Sequence, residues 1–206
     1  MMHLSADQID TLTETVNIGV GRAASSLSRI VHERVELMVP SIHIGELSEM
    51  SSLLGEPQGN SNTTIVQDFE GDFSGRALLA FPSASGISLA QIISGVDETV
   101  NELDVDLGGI LEEIGNIVLN AVLGSIGNMT NSGMVYSVPE FYPSIPPLQL
   151  IQNRRTNVED DCDYLLLADA QFRISNRDVT GSLLIAFDTG AIEMILSTLQ
   201  LSGVRI

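Results

Sequence analysis

From residue 6 to about residue 31, apolar side chains recur at steps of three and four: Ile9, Leu12, Val16, Val20, Ala23, Leu27 and Ile30. This is the period of one buried face of an α-helix. Ser5 followed by Gln8 is a capping-box pattern that marks where the helix starts. Residues 35–45 read as an extended segment, with Pro40 suited to a sheet edge or a bend. A short helical or irregular piece over 47–54 and a turn-forming tract over 55–62 follow. Residues 63–69 and 75–81 alternate as two antiparallel strands around a turn, and 83–94 reads as a second helix. The order then starts again, with a long helix over 104–129, an extended 134–143 and a Pro-rich bend at 143–147. Paired strands over 164–172 and 181–187 and a closing helix over 191–201 complete it. Helix, strands, helix, performed twice with a join at 96–102, predicts an α+β fold: two pseudo-symmetric halves, antiparallel strands, and long helices packed on one side.

The polar positions repeat as well. Asp10, Glu14 and Asn17 fall within roughly 60° of arc on the face of the first helix opposite its apolar side, and Gly21 continues that stripe. Glu14-x2-Asn17-x22-Pro40 recurs as Glu113-x2-Asn116-x22-Pro139, with 113 − 14, 116 − 17 and 139 − 40 all equal to 99. A fixed offset marks a duplicated unit. The reading is one domain, residues 1–206, made of repeats at about 1–98 and about 99–206. Gly75 and Phe81 match Gly181 and Phe187 at an offset of 106, so about seven residues are expected to be inserted after Pro139, most simply at 153–161. A chain that carries its own symmetry is expected to be a monomer.

Composition narrows the partners. The formal charge is −18, with nine Arg and no Lys, which disfavours nucleic acid and anionic membrane surfaces. No apolar run approaches the ~20 residues of a bilayer span, and the N-terminus lacks a signal-peptide pattern. The lone Cys162, flanked by Asp161 and Asp163, can form no internal disulfide and is a poor nucleophile. A cytoplasmic protein is expected. His3, His32 and His43 share no metal-binding spacing, and His32 reads as a charge partner for the end of the first helix. Glu159-Asp160-Asp161 reads as a solvated loop. No metal site is expected, and there is no P-loop, catalytic triad or zinc pattern.

One Glu-x-x-Asn on a helix would ordinarily be a solvated surface pair; the doubled spacing with both prolines is what singles it out. Pro40 and Pro139 read as backbone markers. Ile18 and Ile117, beside the two Asn residues, either border the core or form apolar contacts for a docking partner. Gly19 and Gly21 would allow a partner to approach closely.

The pattern Asp10-x3-Glu14-x2-Asn17-x22-Pro40, with its second copy at Glu113, Asn116 and Pro139, resembles the CheC/CheX/FliY family of chemotaxis phosphatases. The two-copy layout is most like that of CheC. Gly109 departs from the pattern, because the family places Asp or Ser there. The resemblance implies hydrolysis of the aspartyl-phosphate of a CheY-type response regulator. Asn17 and Asn116 would orient the attacking water, and Glu14 and Glu113 would contact the regulator's active-site Lys. Asp10, Ile18 and Ile117 would lie in the partner-binding surface. The chain would bind no cofactor, since Mg²⁺ comes with the regulator. CheD is implied as a further partner, with 191–201 as its guessed surface. The alternative is a non-enzymatic signalling or flagellar-switch interaction module that binds the regulator or CheD.

Overall fold

The computed structural model describes residues 5–46, 50, 62–95, 105–152, 164–174, 177–188 and 191–201. Helix α1 (Ala6–Val31) opens on the capping box read from the sequence: Gln8 N–H donates to Ser5 Oγ, and Ser5 N–H donates to Gln8 Oε1 at 2.8 Å. It ends at His32, whose left-handed φ of 55° stops the helix. The expected apolar face is buried from Leu12 to Leu27, but Ile30 is half exposed because the last turn overhangs the core.

Helix α3 (Val105–Thr130) runs antiparallel to α1, with Thr15 at Met129 and Gly19 at Val122. A Cβ on Gly19 would lie 2.6 Å from Val122 Cα and 2.8 Å from the Ala121 carbonyl oxygen, so the two backbones meet where a side chain cannot fit. This corrects the reading of Gly19 as a partner-facing residue. It serves the helix pair, whereas Gly21 faces open space. Gly19→Ala is accordingly expected to destabilise the chain by about 1–3 kcal/mol, while Gly21→Ala leaves stability unchanged or slightly raised. Thermal unfolding of the two variants checks this, and equal midpoints would contradict it. The reading that no apolar run approaches a bilayer span is corrected for Leu107–Thr130, which is long and apolar enough to cross one, yet half of it is buried inside the fold, as befits a core helix.

The strands form one antiparallel sheet of eight: β1 (Val35–Met38), β2 (Ile42–Glu46), β3 (Asn62–Gly71), β4 (Gly75–Pro82), β5 (Met134–Tyr136), β6 (Glu140–Pro143), β7 (Tyr164–Ile174) and β8 (Arg177–Phe187). Both extended segments read from the sequence are therefore broken into two short strands near their prolines. The order is β1-β7-β8-β4-β3-β5, with β2 also on β7 and β6 also on β3. Each half thus lends its short edge strands to the other half's hairpin.

One row across the sheet shows the arrangement. Ile42 pairs with Ala168, Ala168 with Leu183, Leu183 with Leu79, Leu79 with Ile65, and Ile65 with Phe141. From the outside inward the offsets are 141 − 42 = 99, 168 − 65 = 103 and 183 − 79 = 104. The sequence expectation of about seven extra residues is corrected to about four before β7, with one more in the hairpin. Gly75/Gly181 and Phe81/Phe187, 106 apart, sit two positions out of this register. A strand repeats its facing every two residues, so the mismatch preserves the pattern and is invisible in the sequence.

The four helices α1, α2 (Ser83–Ser94), α3 and α5 (Ala191–Leu201) cover one face of the sheet. The core beneath them includes edge-on contacts of Phe69 with Phe73 and Phe187 at 6.1–6.2 Å. A smaller cluster on the other face gathers Val66, Leu78, Leu165, Leu167 and Leu184 under Met50 and the short helix α4 (Pro147–Gln152). The Pro-rich bend over 143–147 therefore continues into a helix, with Pro147 at its first position, where a missing N–H is harmless. Arg76 ties this face together. It makes two bonds to the Asp68 carboxylate, at 2.7 and 2.8 Å, and donates to the Leu150 carbonyl at 2.8 Å. The Asp68 bond also raises its pKa above the ordinary Arg value. The expected piece at 47–54 apart from Met50, most of the 55–62 turn, the 96–102 join, the 153–161 segment, His3 and Cys162 lie outside the described residues.

Candidate functional site

Because α1 buries its Leu12–Leu27 face, it presents Asp10, Glu14 and Ile18 to solvent, with Asn17 half-buried among them. Ile18 is 49% exposed, which suits an apolar contact point. Asn17 is not idle in the folded chain. Its Nδ2 donates to the Thr13 carbonyl at 3.0 Å and to the Val39 carbonyl at 2.8 Å, and its Oδ1 accepts from Val39 N–H at 2.9 Å. Val39 lies in the gap between β1 and β2, is 1% exposed, and immediately precedes Pro40. A break between edge strands removes that residue's ladder bonds, and a buried peptide must find other partners. A carboxamide offers a donor and an acceptor in one plane, which matches both groups of a single residue. This accounts for the Asn-x22-Pro spacing: Asn17 clamps the residue before the proline.

The second stripe is held differently. On α3, Gly109 and Glu113 are exposed, Asn116 is half-buried, and Ile117 packs against the edge of the core. Val138, 99 residues after Val39, is 82% exposed, and Pro139 is buried where Pro40 is exposed. Here the gap between β5 and β6 is tied to the sheet through Ser137, while Val138 itself stands in solvent. Ser137 N–H donates to the Asp68 carbonyl at 2.9 Å, and the Ser137 carbonyl accepts from Gln67 Nε2 at 2.9 Å. Phe141 N–H donates to Glu112 Oε1 at 3.0 Å, which anchors β6 to α3. Asn116 is therefore not needed as a clamp. Its Oδ1 accepts from Asn120 Nδ2 at 2.7 Å, and its Nδ2 has no partner among the described residues.

The antiparallel helix pair carries Glu14 and Asn17 toward one end and Glu113 and Asn116 toward the other, making two separate sites. Asn120 escapes a search for repeated residues, because position 21 holds Gly where 120 holds Asn; Val39 and Val138 do match at the offset of 99, but only the structure shows one buried and the other exposed. The available signal for Asn120 is its i+4 step from Asn116 on one helix face. No group of three His, Cys, Asp or Glu residues among those described could hold a metal. His32 and His43 stand apart at a helix end and on β2. A recess on the opposite face of the sheet, beside Glu36 and Arg173, is lined by groups already paired with one another: Arg173 with Asp178 at 2.8 Å and with Glu36 at 3.8 Å.

No protein-family model matches the chain. It is 24% identical over 143 residues to "CheY-P phosphatase CheC" of Bacillus subtilis, covering 66% of each chain. It is 22% identical over 171 residues to "Flagellar motor switch phosphatase FliY" of the same organism, covering 83% of this chain and 44% of that one. The match thus spans just under two thirds of the first relative and less than half of the second. Among solved structures, Thermotoga maritima FliY shares 16% identity at a TM-score of 0.74, over 97% of this chain and 99% of that one. H. pylori FliM, solved in complex with SpeE, shares 15% at 0.70, over 99% and 100%. CheX from Borrelia burgdorferi, solved with CheY, BeF3 and Mg²⁺, shares 12% at 0.50, over 85% and 98%. The chain is thus homologous to CheC and FliY, and its fold is the one seen in FliY and CheX.

Proposed function

We propose that the chain is a phosphatase that hydrolyses the aspartyl-phosphate of a CheY-type response regulator, with the Glu113–Asn116 site carrying most of the activity. The carrying observation is the Asn116 carboxamide on an exposed helix face, with its Nδ2 unengaged among the described residues. A carboxamide lacks the basicity to take a proton, but it can accept a bond from water through a remaining Oδ1 lone pair while donating from Nδ2 to a phosphoryl oxygen. That fixes water in line with phosphorus, and positioning supplies much of the catalysis in phosphoryl transfer. Glu113, exposed one turn before Asn116, would pair with the regulator's active-site Lys through a charge-assisted bond. Ile117 and Val138 supply apolar contact beside it. Mg²⁺ would arrive with the regulator. In the first site Asp10, Glu14 and Ile18 present an equivalent docking face, but Asn17 must leave Val39 or Thr13 before its Nδ2 can donate to a phosphoryl oxygen.

The palindromic row of strand pairs supports reading the chain as two repeats of one unit; by the same resemblance we propose that it acts as a monomer in the cytoplasm. CheD is a further candidate partner by the same resemblance. Helix α5, its guessed surface, buries Ala191, Ile192 and Ile195 and exposes Met194. A second reading, a non-enzymatic module binding the regulator, is favoured by one observation: both donor hydrogens of Asn17 are already engaged inside the fold. Phosphate release from a phosphorylated CheY-type regulator with Mg²⁺, with and without the chain, separates the two. Acceleration by wild type is expected. Binding without acceleration would leave only the module.

A further inference from the structure

We infer that Asn120 is a positioning residue that orients the Asn116 carboxamide for the reaction, an inference that rests on the phosphatase reading. Asn120 stands one turn beyond Asn116 on α3 and donates to Asn116 Oδ1 at 2.7 Å. Its own Oδ1 is buried without a partner among the described residues. A buried carboxamide oxygen left unpaired is destabilising, so Asn at this half-buried position is not explained by stability; an apolar residue of the same size would avoid the penalty. What the side chain does is fix Asn116 Oδ1 from the helix side, so that Nδ2 faces away. Oδ1 keeps a second lone pair for a water. Gly21 occupies the corresponding place in the first half, so the first site has no such orienting group, and its Asn17 is turned to Val39 instead. The pairing is therefore a feature of one site and sets the difference between the two.

The test uses the full chain with Asn120→Leu, which keeps the branching at Cγ and removes both polar atoms, and Asn120→Ala as a second variant in case the larger Leu does not fit. Three measurements are made: steady-state phosphate release, thermal unfolding, and three-bond NMR couplings that report χ1 of Asn116. The expected result is a kcat about tenfold lower, KM for the regulator within about twofold, and an unfolding midpoint unchanged or raised. Averaged Asn116 couplings would replace a single rotamer, and Asn120→Leu would cause no further loss of rate in the Asn116→Ala background. Equal losses of rate in both backgrounds, or an unchanged rate in an active chain, would overturn the inference. If wild type does not accelerate hydrolysis, the phosphatase reading falls and the catalytic role of Asn120 with it. The couplings then decide the orienting contact by themselves, and an unchanged single rotamer in both variants overturns that too.

Discussion

Asn116→Ala is expected to lower the acceleration of regulator dephosphorylation by about 100-fold, while Asn17→Ala, assayed at a temperature where it is folded, lowers it by less than about threefold; these are the scales for removing a group that positions a reactant and for removing one that does not. The two residues occupy equal places in the Glu-x-x-Asn-x22-Pro spacing, and apart from Gly109 standing where the first copy has Asp10, nothing in the sequence ranks them. The structure breaks the tie. Asn17 spends both donor hydrogens on carbonyls of Thr13 and Val39, while its Oδ1 accepts one bond from Val39 N–H. Asn116 keeps Nδ2 and one Oδ1 lone pair for the reaction. Binding of the regulator, measured separately with a beryllofluoride-activated partner, should survive Asn116→Ala, because the exposed Glu113, the proposed contact to the regulator's Lys, remains. Equal losses at the two positions would show that Asn17 is released on docking and that both sites work.

For stability the ranking inverts. Asn17→Ala should destabilise the chain by about 2–4 kcal/mol, because it leaves the N–H and C=O of a residue that is 1% exposed without partners, each at a cost of about 1–3 kcal/mol. For a chain of this length that is a fall in unfolding midpoint on the order of 5–10 °C. Asn116→Ala removes one bond between two side chains on the same helix and should change stability by about 1 kcal/mol or less. Urea or thermal unfolding of the two variants is the measurement. Midpoints that fall equally, or an Asn17→Ala chain as stable as wild type, would refute the clamp. A crossed outcome, with rate lost at one Asn and stability lost at the other, would mean that one motif does two jobs in one chain.

Much of this was legible in the sequence. The helices were, because their pattern is local: an apolar residue every three or four positions, and a Ser5–Gln8 box whose partners are one turn apart. The Glu-x-x-Asn stripe followed from the same local geometry, and the offset of 99 held because α1 and α3, with the segments that follow them, are of equal length. The division of 35–45 and 134–143 into short strands near each proline was only half visible, since proline marks a break without showing what satisfies the residues around it. Helix α4 was hidden because prolines at 143, 146 and 147 read as a bend, and the role of Gly19 because its neighbour, Val122, is more than a hundred residues away.

By itself the sequence determined the long helices, the two paired strand runs and which residues share a helix face, since each depends on steps of two to four residues. Only the tertiary structure decided which Asn is free. That choice depends on β1 and β2 pairing with β7 while β5 and β6 pair with β3. In the first half the sheet leaves Val39 for Asn17 to hold. In the second, Gln67 and Asp68 of β3 already satisfy Ser137 in the equivalent gap, and Asn116 is left to Asn120 and to whatever docks against it. A carboxamide bonds to whichever unpaired group the fold brings within about 3 Å, and no spacing along the chain records which group that will be.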